Sequence, residues 1–519
     1  MKTISKLTLA AGIAALGTTG SQAQSVGSAC GCPDVSSRTV VNMSTLVDGS
    51  LNLASNSTTL TCNNLYVLNT RVYVNDGQDL YIEPGTVIKA NSNPGAAYSV
   101  IVSRGGQIWA NGSQSCPIIM TAAADPLDGS YSVTNRGQWG GLLVLGRAYN
   151  NVRNNDANSG SVAPTGTDGV GLIEGLLLGD TRNYYGMPVG QEVNDDNSGI
   201  LRYVSVRYGG ESIGLDNEIN AFSFGSVGTG TTIDHIEAIS NKDDGAEFFG
   251  GKARVKYLVS MHNDDDYCDW DEGFDGRIQF VYGLQGPDNS GGSNNQGDNG
   301  FEMDSDDAPT NFADGGARST PIVYNATIIA RNLNDVGLEA KERTQGSIYN
   351  SIFARFDKGL NLTADCYTFW NAGTFNVKNC TFQECTTPLA VPGGATPADN
   401  TKFFTTDGNL SVGANSLIDA TYTMTQPGNV LTDRVNPVPA AGTATTTLTP
   451  PVDGFFTGAA YRGAFEPGAT PWTQGWTLAS QLGSDVSAVA GCAGDLNHDG
   501  LVNTADFGLF VNAFGGTCY

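Results

Sequence analysis

Asp243-Asp-Gly-Ala-Glu247 is the first copy of a five-residue pattern that recurs four more times before residue 362. The pattern is Asp, any residue, usually Gly, an apolar residue, and then a carboxylate or an amide. Its last position falls at residues 247, 269, 302, 339 and 361, with offsets of 22, 33, 37 and 22. Repeats of this length are typical of a solenoid, in which each copy is one coil stacked on the last. We therefore predict an all-β fold, a right-handed parallel β-helix.

The residues around the repeat alternate with a period of two, which indicates strands with one face buried. The last position should point outward, and strands in neighbouring coils lie roughly 5 Å apart. The leading aspartates and the outward carboxylates should then form an acidic face on one side of the solenoid. We assign to this face Asp243, Glu247, Asp265, Asp269, Asp271, Asp298, Glu302, Asp304, Asp335 and Glu339.

Three interpretations of the acidic face remain open. Stacked like charges repel each other, so protonation, neighbouring Lys and Arg residues, or bound cations must offset them. In the simplest case, the aspartates cap turns and the other carboxylates are solvated. The alternatives are a face that binds cations or sugars, and a catalytic site in which Lys341 or Arg343 is the base.

The overall charge excludes one class of partner. The 519 residues include 52 Asp and Glu against 27 Lys and Arg, a net charge of −25. Nucleic-acid binding requires a basic surface, so we expect no nucleic-acid partner. An acidic chain is instead suited to cations or to a solvated surface.

Five segments follow from the order of patterns along the chain. Residues 1–23 have the charged start, apolar centre and small-residue cleavage site of a secretory signal peptide. Residues 24–385 should form the β-helix with its N-terminal cap and loop insertions, and residues 386–478 a C-terminal β capping region. Residues 479–491 are predicted to be a linker and residues 492–519 a separate tail. No later apolar run is long enough to span a membrane, so we predict a secreted or cell-surface protein.

The cysteines and the late aromatic residues allow further, more local predictions. Ten Cys in an exported chain indicate disulfides, and we expect Cys492 to pair with Cys518 and Cys268 to be a buried thiol. Trp472 and Trp476 should help to cover the open last coil. Stacking of these two rings against a sugar is the alternative.

The tail contains a calcium-loop pattern between Asp495 and Asp506. Oxygen-bearing residues stand at loop positions 1, 3, 5, 9 and 12, Gly500 stands at position 6, and position 7 offers a main-chain carbonyl. Hard oxygen ligands at this spacing suit Ca²⁺, and a short helix should follow. The predicted ligands are Asp495, Asn497, Asp499, Leu501, Asn503 and Asp506.

Two resemblances accompany these patterns. The tail resembles a dockerin repeat, although dockerins normally carry two such repeats and only one is present here. The stretches Gly137-Gln-Trp-Gly-Gly, Asp264-Asp-Asp-Tyr-Cys-Asp-Trp-Asp271 and Trp472-Thr-Gln-Gly-Trp476 resemble exported bacterial β-helix proteins related to leptospiral surface lipoproteins. That second resemblance implies a surface or secreted protein and no particular activity.

We expect a calcium-binding extracellular β-helix protein without catalytic activity, whose partner is a polysaccharide or a cell-surface scaffold. A polysaccharide-degrading enzyme of the lyase type, acting on an acidic glycan, is the alternative. In that case the carboxylates of the acidic face would hold calcium, and Lys341 or Arg343 would take the proton.

Overall fold

The computed structural model describes residues 30–153, 166–213, 219–286, 299–305, 318–331, 335–420, 424–425, 430–431 and 435–485. The signal peptide, Asp298, Cys492, Cys518 and the whole calcium loop therefore lie outside the described residues. Helices are short: α1 (Ala364–Ala372), α2 (Pro397–Asn400) and α3 (Leu478–Gln481), with 3₁₀ turns at Val35–Ser37, Met43–Thr45 and Thr181–Asn183, and a π turn at Thr401–Thr406.

Strands dominate the described chain. In chain order they are β1 (Thr39–Asn42), β2 (Ser57–Leu60), β3 (Asn64–Leu68), β4 (Val72–Val74), β5 (Asp79–Ile82), β6 (Val87–Ala90), β7 (Val100–Val102), β8 (Gln107–Asn111), β9 (Ile118–Ala122), β10 (Leu142–Leu145), β11 (Val170–Leu172), β12 (Tyr184–Gly186), β13 (Gly199–Arg207), β14 (Phe222–Gly225), β15 (Thr232–Ile239), β16 (Ala246–Phe249), β17 (Arg254–Met261), β18 (Cys268–Asp271), β19 (Arg277–Leu284), β20 (Asn299–Met303), β21 (Ile322–Ile329), β22 (Val336–Ala340), β23 (Gly346–Tyr349), β24 (Ile352–Ala354), β25 (Lys358–Leu362), β26 (Phe375–Lys378), β27 (Thr381–Gln383), β28 (Thr387–Ala390), β29 (Leu410–Val412), β30 (Met424–Thr425) and β31 (Val430–Leu431).

The strands stack coil upon coil, as the repeat predicts. One sheet has ten strands in the order β28-β25-β22-β20-β18-β16-β14-β10-β7-β4, and its neighbours are parallel. A 17-stranded sheet contains the longer strands β13, β15, β17, β19 and β21, which also pair in parallel. The prediction of an all-β solenoid with parallel strands is therefore confirmed.

The interior of the solenoid is apolar because alternate residues of each strand point inward. The residues on either side of each outward carboxylate were predicted to point inward, and all of them are buried. They are Ala246, Phe248, Cys268, Trp270, Phe301, Met303, Leu338, Ala340, Leu360 and Leu362. Cys268 is a free, buried thiol, as predicted.

Each long strand bends at one residue with a left-handed backbone conformation, which the strand pairing skips. The bends in successive coils form a single column, in which the first four residues carry rings and the last three carry amides. The rings stack with centroid separations of 4.3, 4.1 and 4.8 Å. His235 is thus a packed ring between two tyrosines. The column consists of Tyr203, His235, Tyr257, Phe280, Asn325, Asn350 and Asn379.

Residues 435–485, here called the strap, run back along the outside of this column. Near the last coils, the Asn350 side chain donates to the Leu448 carbonyl at 2.8 Å, and Asn325 donates to the Tyr461 carbonyl at 2.8 Å. Further back, the Gln279 side chain donates to the Thr457 carbonyl and accepts from its amide, both at 2.8 Å. The column asparagines therefore bind the strap.

The strap also covers apolar side chains on the outer face of the 17-stranded sheet. Ile239, Met261 and Leu284 pack there in one cluster with Phe465 and Trp476. Because these outward residues are apolar and covered by the strap, both faces of the sheet are buried at this point.

The late tryptophans pack against middle coils rather than the last coil. Trp472 and Trp476 lie edge-on to His235, with ring centroids 6.1 and 5.8 Å away, and Trp476 is buried. The expectation that they cover the end of the solenoid is not met. Stacking of the buried Trp476 ring against a sugar is also excluded in this conformation.

Two disulfides tie the N-terminal segment to the first coils. Cys30 pairs with Cys116, and Cys32 pairs with Cys62. Disulfides of this kind are typical of extracellular proteins. Within the described residues, no helix has the length and apolar character that crossing a membrane would require.

Candidate metal centre

The outward carboxylates of the repeat form a continuous column on the ten-stranded sheet. Glu247 pairs in register with Asp269, Asp269 with Glu302, and Glu302 with Glu339. Asn361 follows Glu339, and its amide donates to both Glu339 carboxylate oxygens at 2.9 and 2.8 Å. The register predicted from the repeat is the register observed.

The residues at the second position of the repeat form another ladder. The sequence pattern allowed any residue at this position. Asn220 accepts the backbone N–H of Asp244 at 3.2 Å, and Asp244 accepts that of Asp266 at 2.9 Å. Asp266 in turn accepts the backbone N–H of Asn299. Side chains of Asx type thus satisfy the main chain of the next coil. The presence of Asp or Asn at this position in successive coils was the available signal.

Together, the two ladders bring carboxylates within ligand distance of one another. One group comprises Asp244, Glu247 and Asp269, and a second comprises Asp243, Asp244 and Asp265. Within each group, one oxygen from every residue lies within 4.8 Å of the others. Asp244 belongs to both groups. Clustered carboxylate oxygens are the donor set that hard cations such as Ca²⁺ prefer.

Burial of these carboxyl groups makes their negative charge unfavourable. Asp244 and Glu247 are 6% and 7% exposed. Burial raises the pKa of Asp244 well above its usual value, and the charges of Asp243 and Asp269 add to the rise. Burial likewise raises the pKa of Glu247, with further contributions from Glu174 and Asp269. The interpretation that the outward carboxylates are solvated therefore does not describe Glu247.

Lys341 supplies a positive charge at the next coils of the face. Its ammonium contacts the Glu302 carboxylate and lies 3.4 Å from Oδ2 of Asp304. Burial alone would lower the pKa of Lys341, but Asp304 and Glu302 raise it above the usual value. Burial would raise the pKa of Glu302, yet hydrogen bonds from Asp266 and contact with Lys341 hold it below normal.

Two carboxylate oxygens near this pair have no hydrogen-bond partner among the described residues. They are Oδ1 of Asp269 and Oδ1 of Asp304, and both atoms are inaccessible to solvent. Burial raises the pKa of each group well above normal. For Asp269, the next largest cause of the raised pKa is the charge of Glu302. For Asp304, it is the charge of Asp269. Unpaired buried oxygens of this kind are costly unless a proton or a cation satisfies them.

The remaining predicted residues lie at the edges of this arrangement. Asp271 precedes Glu272 and accepts its backbone N–H. Asp335 accepts a hydrogen bond from the Gln285 side chain at 3.0 Å. Arg343 directs its Nε toward Asp365, 4.0 Å from Oδ2.

The comparisons with known proteins agree with the fold. The family model described as a pectate-lyase like beta helix domain matches residues 52–426. No curated protein and no solved structure matches the chain. The matched segment spans more than half of the chain and includes both carboxylate ladders. The chain therefore belongs to the family of pectate-lyase-like β-helix domains.

Proposed function

We propose that this is a secreted or cell-surface β-helix protein that binds calcium on its acidic face and has no catalytic activity. Asp244, Glu247 and Asp269 are the ligands at the centre of the site. The proximity of their oxygens carries the proposal, because three carboxylates within 4.8 Å of one another, two of them buried, require a compensating charge. The family is compatible with a protein that works on or near polysaccharides, and we propose an acidic glycan or a cell-surface scaffold as its partner.

The unpartnered oxygens of Asp269 and Asp304 support a cation over protonation alone. A proton would neutralise one carboxyl group, whereas Ca²⁺ takes six to eight oxygens and can engage several groups at once. Lys341 already compensates Glu302 and Asp304. Among the described residues, no Lys or Arg forms an ion pair with Asp244, Glu247 or Asp269, so a divalent cation fits this triad better than it fits Glu302 and Asp304.

A second, separate calcium site is proposed in the tail. The loop from Asp495 to Asp506 offers oxygen ligands at the spacing of an EF-hand loop, with Asp in the last position. This proposal depends on the sequence alone. We also propose that the tail is a dockerin-like attachment module.

The lyase alternative is not favoured. A general base must be unprotonated at the working pH, and Lys341 has a raised pKa because of its two carboxylate neighbours. A guanidinium group offers hydrogen-bond donors and no acceptor, so Arg343 is a poor general base. Neither residue is suited to removing a proton from a sugar ring.

Calorimetric titration of calcium into the full-length secreted protein tests the proposal. We expect two separable binding events, one lost in Asp495→Ala and the other lost in Glu247→Gln/Asp269→Asn. Glu339→Gln is the matched control, because Glu339 lies in the same column but belongs to neither of the two carboxylate groups. Loss of all binding in Asp495→Ala, with the double variant unchanged, would overturn the solenoid site.

A further inference from the structure

Glu237 of β15 lies at the contact between the solenoid and the end of the strap. Its carboxylate is fully buried and accepts the backbone N–H groups of Leu478 and Ala479, each at 3.0 Å. Ser205 of the neighbouring coil donates its hydroxyl to the same carboxylate. One solenoid side chain thus binds two main-chain groups of the strap.

The pocket around Glu237 contains more negative than positive groups. Asp125 and Asp485 are buried close by, at 2% and 3% exposure, and Arg207 is fully buried. The Arg207 guanidinium lies 3.8 Å from Asp125 and 4.0 Å from Glu237. Its Nε donates to Ser205 at 2.8 Å.

The other titratable groups around the pocket do little to compensate its excess of negative charge. Lys89 is half-buried and donates to the main-chain carbonyl of Asp125 at 2.5 Å. Tyr208 donates to the Tyr131 carbonyl at 3.2 Å, and Tyr282 donates to the Ser484 carbonyl. Three buried carboxyl groups therefore share one buried guanidinium and the more distant charge of Lys89. Full ionisation would leave uncompensated charge in a dry pocket, which is strongly unfavourable.

We propose that the strap is a pH-sensitive latch, which Glu237 and Asp485 hold closed when one of them carries a proton and which opens as a unit when both ionise. This inference does not depend on the proposed calcium site. The strap is suited to separate opening because the described part of it binds the solenoid mainly through side chains and apolar packing, with one backbone hydrogen bond from Gly463 to the Asn350 carbonyl at 2.8 Å. The solenoid's own ladder of parallel strands would stay intact without it.

The direction of the pH effect follows from the carboxyl groups. Burial raises the pKa of Asp485 to about 6, although hydrogen bonds from Thr473 and Ser480 oppose the rise. Burial also raises the pKa of Glu237, against the opposing effects of Arg207 and Ser205. A raised pKa in the closed state means that closure is most stable below the usual carboxyl range. That stability is lost as the pH rises through about 6.

Hydrogen exchange of the full-length protein between about pH 4 and about pH 8, corrected for intrinsic exchange rates, tests the latch. We expect protection of Leu478 and Ala479 to fall up to about tenfold per pH unit as the pH rises from about 4 to about 6, and about a hundredfold in total. Peptides from β17 should keep their protection across the same range. Asp485→Asn and Glu237→Gln should each flatten the fall.

Asp453→Asn is the control, because Asp453 is a strap carboxylate that accepts the Phe455 and Phe456 amides near the surface. It should leave the pH profile of wild type unchanged. Constant protection of the strap in wild type would overturn the proposal. An unaltered pH dependence of strap protection in Asp485→Asn would also overturn the proposal. If Glu237→Gln fails to fold, as judged by circular dichroism, the wild-type and Asp485→Asn profiles still decide.

Discussion

The carboxyl group of Asp266 accepts the backbone N–H of Asn299, one coil further along the solenoid. The same carboxyl group is hydrogen-bonded to Glu302, so it acts as acceptor and donor at once. A carboxyl can do this only while protonated, and an asparagine side chain can do it at any pH. Burial raises the pKa of Asp266 well above normal, and the bond to Glu302 adds to the rise.

Asp266→Asn should therefore stabilise the protein at pH 8 and leave it unchanged at pH 4. A raised pKa contributes stability below the usual carboxyl range and loses it as pH rises, and the variant escapes that loss. Asp266→Ala should instead cost about 1–3 kcal/mol at pH 4, because the Asn299 amide loses its acceptor, and less at pH 8, because the variant also escapes the loss that wild type suffers there. Urea unfolding at the two pH values measures both effects. A destabilised Asp266→Asn at pH 8 would contradict this assignment of the proton.

Calcium should stabilise the protein more at pH 8 than at pH 5.5. Protons and calcium compete for Asp244 and Glu247, whose pKa values are raised by burial and by neighbouring carboxylates. At a free calcium concentration a hundred times the dissociation constant, the gain is about 2.7 kcal/mol. Thermal unfolding with calcium and with chelator measures it. The gain assigned to the solenoid should survive Asp495→Ala, and an equal gain at both pH values would contradict proton competition.

Asn350→Ala should weaken attachment of the strap near the last coils. The substitution removes the hydrogen bond to the Leu448 carbonyl. It also places alanine, which adopts the left-handed backbone conformation less readily than asparagine does, at a φ of 51°. We expect a loss of about 1–3 kcal/mol in the free energy of unfolding. Asn350→Gly separates the two causes, because it removes the hydrogen bond but tolerates the backbone. If the two variants lose equal stability, backbone conformation makes no contribution.

His262 should limit stability in acid. It is fully buried, neither ring nitrogen has a hydrogen-bond partner among the described residues, and burial next to Arg136 lowers its pKa to about 3. A lowered pKa gives stability above the usual value of 6.5 that is lost as pH falls toward 3. His262→Phe should therefore lose less stability than wild type between pH 7.5 and pH 4.5, by on the order of 2 kcal/mol. Urea unfolding at both pH values tests this, and parallel losses would contradict it.

The column from Glu247 to Asn361 could be predicted in exact register from sequence, because its position recurs beside apolar residues that must point inward. The buried Cys268 follows from the same alternation. These features are local to the repeat. Parallel strand pairing then repeats the same arrangement in each coil, so these features can be predicted without knowing the contacts between distant segments.

Features that depend on contacts between distant segments could not be predicted in this way. The repeat does not show that Asp244 would be buried, since insertions and neighbouring coils decide its exposure. It also gives no register for the strap, whose partners Gln279, Asn325 and Asn350 precede it by about a hundred residues or more. The disulfides Cys30–Cys116 and Cys32–Cys62 are set by the same kind of long-range proximity.

The attachments of the strap also constrain the length of the solenoid that it lies against. Its attachments include Thr446 to Asn379 near the last coils and the Leu478 amide to Glu237 in a middle coil. Inserting one coil between these points would leave strand pairing undisturbed and yet put every later attachment out of step. The number of coils in this molecule is therefore constrained by the length of a segment that belongs to none of them.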